Sequence, residues 1–529
     1  MICEDLRFLF FMNRKTAFAL ILGLLTASGV WLLKTSTPFG LGLTDDAISY
    51  IAAARALLAG QGFTRIWLAT GLEPITHWPP AFPATLAAIS LLLKIDPYRS
   101  ARFLNILIFG ANAGILGLLG YKMTKSHLES ILLSILFLSS SSLLRLHAQA
   151  LSEPLYLFIS LLAFLAFANA LRMVSQKQPT SVGFVSVARG LSPVRWLILA
   201  GFLTGLSYLT RYAALSLIAT FIVAIFILYP TWRKRFTSLA FFLTGALPPV
   251  LAWMLRNKLV GGSATNRTFQ WHPVTQENIF RGLRSFFQFL LPLPKVSSFF
   301  NQPFFLILFS LLIALALLLW ILPKSIKYFL KSDENPRPAV LPFITTLYIF
   351  SYLGSLLISL FLFDAATPLN DRILSPVYLA ILIMLVYFIH KLFEQNKITL
   401  RILSIILAFF LFSTSLIAQI HTVGELKESP LGFASWRWRE STVMEVIRDL
   451  PEDVEIYTNQ PPAVYFWTGR PSYSLWGGQP DPVREGDAVL AIFFPPEADT
   501  PEYQAWFAKT TAELEAIQKS GLGNLYQNK

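Results

Sequence analysis

The sequence is poor in charged residues and nearly devoid of cysteine. Asp, Glu, Lys and Arg make up only 14% of its 529 residues, whereas a soluble domain carries about 25%. The mean hydropathy is +0.56 and long apolar runs recur along the chain, so an integral membrane protein is predicted. The single cysteine, Cys3, excludes an internal disulfide and argues against redox or thiolate–metal chemistry.

Also missing are the motifs of soluble nucleotide-dependent enzymes. The sequence has no Walker A motif, no Rossmann glycine fingerprint, no HExxH and no Cys/His metal set. We attribute its formal net charge of +13 to basic cytoplasmic loops and not to a nucleic-acid surface. Arg7, Arg14 and Lys15 before the first apolar run are typical of a signal anchor, for which Met12 is an alternative start to Met1.

The long apolar runs predict an α-helical polytopic membrane domain over residues 1–420. About eleven segments are long enough to cross a bilayer. They are predicted at 16–33, 103–121, 128–146, 151–172, 194–210, 212–230, 236–255, 303–323, 341–363, 373–391 and 400–420. The run 81–94 is too short for a span and is predicted to form an interfacial or re-entrant helix.

The basic residues orient these segments. With the N-terminus in the cytoplasm, every predicted inner loop is basic, as the positive-inside rule requires. The first long outer loop is then 34–102, and the second is 256–302, a polar and aromatic stretch without strong secondary-structure signals that predicts a functional loop or lid. Acidic residues gather near span ends at this outer face: Asp45, Asp46, Glu73, Glu153, Asp364 and Asp371.

The composition changes after residue 420. Residues 421–529 are mixed and charged, and they predict a small extracytoplasmic α/β domain. Helices are predicted at 436–449 and about 501–518, and strands at 454–458 and 488–494.

The adjacent carboxylates Asp45 and Asp46 follow the first predicted span and are the strongest candidates for chemistry. One carboxylate could deprotonate an acceptor hydroxyl or coordinate a metal that does so, while its neighbour raises its pKa or orients it. The alternative is a helix N-cap, since Thr44-Asp45-Asp46 is also a good helix start.

Five further residues are candidates for the same site. Glu153 is a second acidic candidate, although Ser152-Glu153-Pro154 also fits a helix start. Arg372 and Arg211 suit a lipid-linked phosphate, against the alternative of snorkelling side chains at helix ends. Tyr50 lies on a helical face that ends in glycine, which is also typical of an amphipathic interfacial helix. His77 could contact a substrate, against the alternative of a solvated side chain at the interface.

Taken together, these features resemble the multi-pass membrane glycosyltransferases of the C-type superfamily (GT-C), in particular protein O-mannosyltransferases, aminoarabinose transferases and their bacterial relatives. The family's acidic pair, Tyr, small residues and Gly correspond to Asp45, Asp46, Ala47, Tyr50, Ala54, Leu57 and Gly60. Where the family has Lys-Pro-Pro, this chain has Trp78-Pro79-Pro80; the Lys is missing, and the neighbouring His77 could substitute for it. Further likenesses are the position of Glu153, the Arg-x-x-x-Pro motif at Arg372, and TNQPPAVYFWTGRPSYSLW in the C-terminal region.

The resemblance implies an inverting transfer of a sugar from a polyprenyl-phosphate donor to an acceptor hydroxyl at the non-cytoplasmic face, in a bacterial inner membrane. Asp45 would be the general base, Arg372 would hold the phosphate, and the 256–302 loop would close over the substrates. Asp46 and Glu153 would shape the site or hold a divalent metal, Mg or Mn. The acceptor could be a lipid, a glycan or a protein. A flippase or transporter of lipid-linked sugars is the alternative, and a non-enzymatic membrane scaffold is a third possibility.

Overall fold

The computed structural model describes residues 13–175, 192–265, 269–292, 302–330, 340–363, 367–475, 477–495 and 498–529. The predictions made for Met1, Cys3, Arg7, Met12 and Asp364 lie outside these ranges, as do parts of the 256–302 loop.

The first part of the chain is built almost entirely from helices. A two-stranded ribbon, β1 (Thr64–Arg65) with β2 (Glu73–Pro74), interrupts them, and a 3₁₀ turn, Tyr212–Ala214, joins α8 to α9. The helices are α1 (Arg14–Ser36), α2 (Asp45–Leu58), α3 (Ala81–Leu93), α4 (Pro97–Thr124), α5 (His127–Leu138), α6 (Ser141–His147), α7 (Glu153–Ser175), α8 (Pro193–Thr210), α9 (Leu215–Leu228), α10 (Trp232–Gly261), α11 (Gln276–Leu290), α12 (Pro303–Leu330), α13 (Val340–Leu362), α14 (Asp371–Phe393) and α15 (Ile398–Glu428).

Each predicted apolar segment coincides with one of these helices or with the pair α5–α6. Within the described ranges, 8 helices are long and apolar enough to cross a membrane, or 9 if α5 and α6, bent by 61°, form one span. The two remaining predicted spans fall on α8 and on the shorter apolar helix Tyr212–Leu228. The polytopic helical fold is therefore confirmed, with fewer full-length spans than predicted. Helix α3 is short, as expected for residues 81–94.

The helices α8 and α10 approach each other closely because glycines face each other across their contact. A Cβ on Gly201 would lie 2.0 Å from the Phe242 carbonyl oxygen, and one on Gly245 would lie 2.1 Å from that of Ile198. Small residues permit such backbone contact between membrane helices, where dispersion and not water exclusion drives packing. This pair of helices fixes the end of α8, where Arg211 lies.

The C-terminal region forms a small mixed sheet with helices. Short helices α16 (Trp436–Arg439), α17 (Thr442–Asp449), α18 (Pro461–Thr468), α19 (Asp481–Glu485) and α20 (Pro501–Thr510) accompany strands β3 (Glu455–Thr458), β4 (Tyr473–Ser474), β5 (Ala488–Phe493), β6 (Leu514–Lys519) and β7 (Gly523–Asn528). The strand order is β4-β3-β5-β7-β6. Strands β3, β4 and β5 are parallel, and β5, β7 and β6 are antiparallel.

The predicted helix 501–518 is wrong in its second half. Helix α20 ends at Thr510, and Glu513 adopts a left-handed conformation with φ of 69°. Residues 514–519 then form strand β6, because the antiparallel partner β7 supplies its hydrogen bonds. This pairing overrides the local helical tendency of the segment, as tertiary context often does.

The C-terminal region is joined by backbone hydrogen bonds to the loop that precedes α2. The Leu43 N–H donates to the Leu431 carbonyl at 3.0 Å, and the Leu43 carbonyl accepts from the Phe433 N–H at 2.9 Å. On the other side, Gly42 forms a parallel bridge with Gln149. The backbone just before the acidic pair is therefore held from both sides. Helix α15 continues to Glu428, and the domain boundary at 420 remains a prediction.

We expect Gly432→Ala to loosen this junction. Gly432 has φ of +63°, and a Cβ there would lie 2.1 Å from the Leu43 carbonyl oxygen. Gly469 also has a positive φ, +79°, but a Cβ at that position would meet nothing within 4 Å, so Gly469→Ala isolates the backbone strain. Thermal unfolding in detergent should show a loss of about 2–3 kcal/mol for Gly432→Ala and about 1 kcal/mol for Gly469→Ala. Equal losses would mean that the contact with Leu43 does not matter.

Candidate active site

The acidic pair occupies the first turn of α2, and a different residue caps that helix. Thr44 is the N-cap, and its side-chain oxygen accepts from the Ala47 N–H at 3.3 Å. Asp45 and Asp46 gain only the favourable interaction of negative charge with a helix N-terminus. The helix start predicted from Thr44-Asp45-Asp46 is therefore confirmed, with Thr44 as its cap, and both carboxylates remain available for other partners.

Asp46 begins a chain of alternating charges. Its Oδ2 lies 2.6 Å from Nη2 of Arg372, and Arg372 also pairs with Glu153 through its Nε. Glu153 has only 1% of its side chain exposed and forms a second ion pair with Arg211. Arg211 donates a further hydrogen bond to the Ser152 hydroxyl at 3.3 Å. A buried carboxylate therefore holds two guanidiniums side by side.

The members of this chain come from helix ends that are far apart in sequence. Glu153 is the first residue of α7. Arg372 lies in the first turn of α14, where the Asn370 side chain caps the helix by accepting from the Ile373 N–H at 3.2 Å. Arg211 has extended backbone angles between α8 and the 3₁₀ turn. Helix ends leave backbone and side-chain groups free to face a cavity.

The predicted metal role of Asp46 and Glu153 does not fit this geometry. Arg372 lies between the two carboxylates and bonds to both, and Arg211 bonds to the same Glu153 oxygen, Oε1, as Arg372. Within the residues that the structure describes, no three His, Cys, Asp or Glu side chains form a group that could hold a metal ion. A divalent cation at this point would meet two guanidiniums, so Asp46 and Glu153 as arranged here do not fit a shared metal ion.

A cavity of about 760 Å³ opens beside the ion-pair chain. Asp46, Tyr50, His77, Arg211 and Arg372 all line it, so five of the seven predicted site residues share one cavity. Glu153 lies behind its wall, bonded to both arginines. Asp45 is exposed next to Asp46 and is not among the described residues that line the cavity.

The two acidic neighbours differ in their surroundings. Asp45 makes no ion pair within the described ranges, although protein surrounds it on several sides. This partial enclosure, and then the charge of Asp46, raise the pKa of Asp45. Burial, followed by the charge of Asp46, raises the pKa of Tyr50 to about 12. The Tyr50 hydroxyl therefore stays protonated at neutral pH and can donate a hydrogen bond into the cavity.

His77 is oriented by an arginine from the ribbon. Nη2 of Arg65 lies 3.0 Å from Nδ1 of His77. Because a guanidinium only donates, Nδ1 accepts, and the neutral ring then carries its proton on Nε2. His77 is thus set to donate from Nε2 at the cavity wall.

The whole architecture matches solved membrane transferases. ArnT from Cupriavidus metallidurans bound to undecaprenyl phosphate aligns with a TM-score of 0.50 and 13% identity, over 96% of this chain and 97% of that chain. The Archaeoglobus fulgidus oligosaccharyltransferase tethered to an acceptor peptide with an NVT sequon aligns with a TM-score of 0.56 and 11% identity, over 98% and 74%. The archaeal AglB in complex with an inhibitory peptide and a dolichol-phosphate aligns at 0.53 and 10%, over 96% and 74%.

The chain has the GT-C fold. The predicted resemblance to the C-type superfamily is confirmed at this level. No protein-family model matches the sequence, and no curated protein matches it. The GT-C fold is therefore established by three-dimensional similarity alone.

The aromatic wall of this GT-C cavity was not predicted from the sequence. Tyr208, Tyr212 and Tyr352 line it, and the Trp253 indole N–H donates to the Tyr212 hydroxyl at 2.9 Å. The only local signal was the spacing of Tyr208 and Tyr212 around Arg211, which resembles ordinary interfacial aromatics. Tyr352 comes from the middle of α13 and has no such signal.

The 256–302 loop contains more secondary structure than expected. Its first residues belong to α10, and α11 occupies 276–290. Asn278 of α11 donates to the Thr367 carbonyl at 2.9 Å and accepts from the Leu369 N–H at 2.8 Å. Helix α11 thereby holds the segment that leads into Arg372. Thr265 from the same loop lines the cavity.

Proposed function

We propose that this protein is a membrane glycosyltransferase that moves a sugar from a polyprenyl-phosphate donor to an acceptor hydroxyl at the non-cytoplasmic face, with inversion. The observation that carries the proposal is the pair Arg211 and Arg372, which share the buried Glu153 at the wall of one cavity. Paired guanidiniums with hydrogen-bond donors left over suit a phosphate group. The GT-C fold supports the same function, since ArnT is bound to undecaprenyl phosphate.

The lining of the cavity suits a lipid-linked substrate. Asp46, Tyr50 and Arg372 contribute charged and hydroxyl groups to the lining, and α13 contributes apolar side chains such as Leu356 and Ile358 together with hydroxyls such as that of Ser355. A phosphate in the cavity would accept from the two arginines and from Tyr50. The prenyl chain would lie along α13, where apolar side chains replace lipid contacts.

Asp45 is proposed as the general base. Its carboxylate would take the proton of the acceptor hydroxyl while that oxygen forms a bond to the anomeric carbon. The bond from this carbon to the phosphate oxygen breaks, and polyprenyl phosphate leaves with the electron pair. Attack from the face opposite the phosphate inverts the anomeric configuration. Asp46 is paired with Arg372, so Asp45 is the member of the acidic pair that has no ion-pair partner in the described structure.

The orientation in the membrane rests on the basic loops. We propose a cytoplasmic N-terminus, a transmembrane domain over 1–420 and an extracytoplasmic domain over 421–529, in a bacterial inner membrane. Under this orientation the acidic pair, the cavity and the C-terminal sheet share the outer side.

Proteoliposomes that contain the purified protein and synthetic polyprenyl-phosphate sugars test the proposed function. We expect the lipid-linked sugar to be consumed, with an acceptor glycoside of inverted configuration as the product by NMR. Movement of intact lipid-linked sugar across the bilayer, without cleavage, would replace the transferase by the flippase alternative. Several donor sugars and acceptor classes have to be supplied, since the cavity chemistry is common to them.

The pH dependence of transfer reports on the base. Enclosure by protein and the charge of Asp46 raise the pKa of Asp45 above 3.8. When the pH is lowered, the rate of sugar transfer should therefore begin to fall at a higher pH than it would with an ordinary aspartate as the base. In Asp46→Asn the like charge is removed and Arg372 loses one partner, so the acid limb should move to lower pH. Single-turnover rates across the acid range measure this shift. An unmoved acid limb would mean that Asp46 does not act on the base.

A further inference from the structure

Two arginines bond to the segment at the end of α1, which also carries Lys34 in its last turn, and none of these three cations lines the cavity. Arg102 donates from Nε to the Thr37 hydroxyl at 3.3 Å and from Nη2 to the Lys34 carbonyl at 3.0 Å. Arg439 donates from Nη2 to the Phe39 carbonyl at 3.4 Å. Both arginines are thus fixed to the short segment 34–39, and both lie within electrostatic range of the Tyr98 hydroxyl.

The positive charge of this group is not balanced. Lys34, Arg102 and Arg439 form no ion pair in the part of the chain that the structure describes, and the hydrogen bonds of the two arginines go to neutral oxygens. Arg55, Arg211 and Arg372 each pair with a carboxylate. Since most guanidinium donors of Arg102 and Arg439 remain unused, the group can still bind an anion.

Aromatic side chains surround the same point. The Arg439 guanidinium lies 4.8 Å from the centre of the Trp436 ring, and Trp436 contacts Phe39 edge to face with ring centres 4.8 Å apart. Phe39 is 42% exposed, and Trp31, one turn before Lys34, is 66% exposed. Exposed aromatics beside Lys and Arg are typical of the boundary between lipid and water.

The position of the group on α1 agrees with such a boundary. Helix α1 is apolar over a full span, and only 17% of that span is buried inside the protein. Its flank therefore faces lipid, and the segment 34–39 lies where the helix leaves the apolar layer. An anion that meets the group at this depth is a lipid headgroup.

We propose that Lys34, Arg102 and Arg439 form a binding site for the headgroup phosphate of an anionic phospholipid. The cations would attract phosphatidylglycerol over phosphatidylcholine, because the choline group adds a positive charge that they repel. The bound lipid would connect α1 and α4 of the membrane region to α16 of the C-terminal region. This site is separate from the proposed transferase cavity, and it stands whether or not the protein transfers sugars.

The test compares lipid binding in the full-length protein and in matched variants. The protein is reconstituted in nanodiscs of phosphatidylcholine, with and without phosphatidylglycerol, and is then released from them into the gas phase. Native mass spectrometry counts the lipids that remain bound to it. The variants are Arg102→Gln with Arg439→Gln, and Arg437→Gln as the control. Arg437 belongs to the same short helix, but its guanidinium bonds to the Gly521 carbonyl at 3.4 Å and not to segment 34–39.

We expect the preference for phosphatidylglycerol to fall about fivefold for each arginine removed at the site, and to stay unchanged in Arg437→Gln. The single variant Arg439→Gln, which changes an exposed side chain, gives the same answer if the double variant does not fold. Its thermal unfolding midpoint should rise less on addition of phosphatidylglycerol than that of the wild type. Equal preference in all variants, or an equal loss in the Arg437→Gln control, would overturn the proposal.

Discussion

Glu153→Gln is expected to destabilise the protein by about 3–5 kcal/mol and to abolish donor binding. Glu153 is 1% exposed and forms ion pairs with both Arg211 and Arg372. A neutral glutamine of the same size would leave two guanidiniums side by side without their shared counter-charge, and removal of one partner from a buried ion pair costs about this much. The arginines would also separate, so the phosphate site would lose its geometry.

Thermal unfolding in detergent and binding of polyprenyl phosphate measure the two effects. The control is Glu73→Gln, which removes a carboxylate from an exposed pair with Arg65, 3.7 Å apart and with 47% of the Glu73 side chain exposed. That variant should change the free energy of unfolding by no more than about 0.5 kcal/mol. A Glu153→Gln protein of wild-type stability that still binds polyprenyl phosphate would remove Glu153 from the proposed phosphate site.

Asp45→Asn is expected to reduce kcat for sugar transfer by about 10²–10⁴-fold, the usual contribution of a general base. Asparagine has nearly the same shape but cannot accept the proton of the acceptor hydroxyl. Because Asp45 is exposed and forms no ion pair within the described ranges, stability and polyprenyl-phosphate binding should stay near wild type. Asp45→Glu keeps a carboxylate with a longer reach and should retain part of the activity.

The comparison with Asp46→Asn separates the roles of the two neighbours. Asp46 pairs with Arg372 at 2.6 Å, so its loss should alter donor binding as well as rate, whereas Asp45→Asn should alter the rate alone. Single-turnover kinetics with saturating donor distinguish the two patterns. If Asp46→Asn lost more of the chemical step than Asp45→Asn at full donor occupancy, the base would be Asp46 and not Asp45.

Hydropathy and the charge of the loops were enough to predict the helical membrane domain, because burial in lipid demands long apolar helices whatever their neighbours do. Hydropathy was a less accurate guide to the number of full-length spans. The segments 194–210 and 212–230 were predicted as two spans separated at Arg211, and this separation is confirmed, because α8 ends at Thr210 and a 3₁₀ turn at Tyr212 precedes α9. The apolar helix Tyr212–Leu228 is nevertheless shorter than a full span.

Each candidate residue could be identified from the sequence by itself, since an Asp, Glu or Arg at the end of an apolar helix is energetically costly and rare. The residues with which each one pairs could not be identified in this way. Asp46, Glu153 and Arg372 are separated by long stretches of chain, and only the packing of α2, α7 and α14 brings Arg372 between the two carboxylates. That contact places a guanidinium between the two carboxylates that were the candidate metal ligands.

The sequence by itself thus determined the membrane architecture, the acidic pair at the start of a helix, and the presence of a small C-terminal α/β region, because these depend on local composition and on short patterns. The tertiary structure alone decided which carboxylate of the acidic pair has an arginine partner, which aromatic side chains line the cavity, and how pairing with β7 makes part of a predicted helix into strand β6. Each of these depends on contacts between residues far apart in the chain, where pairing and packing outweigh local preference.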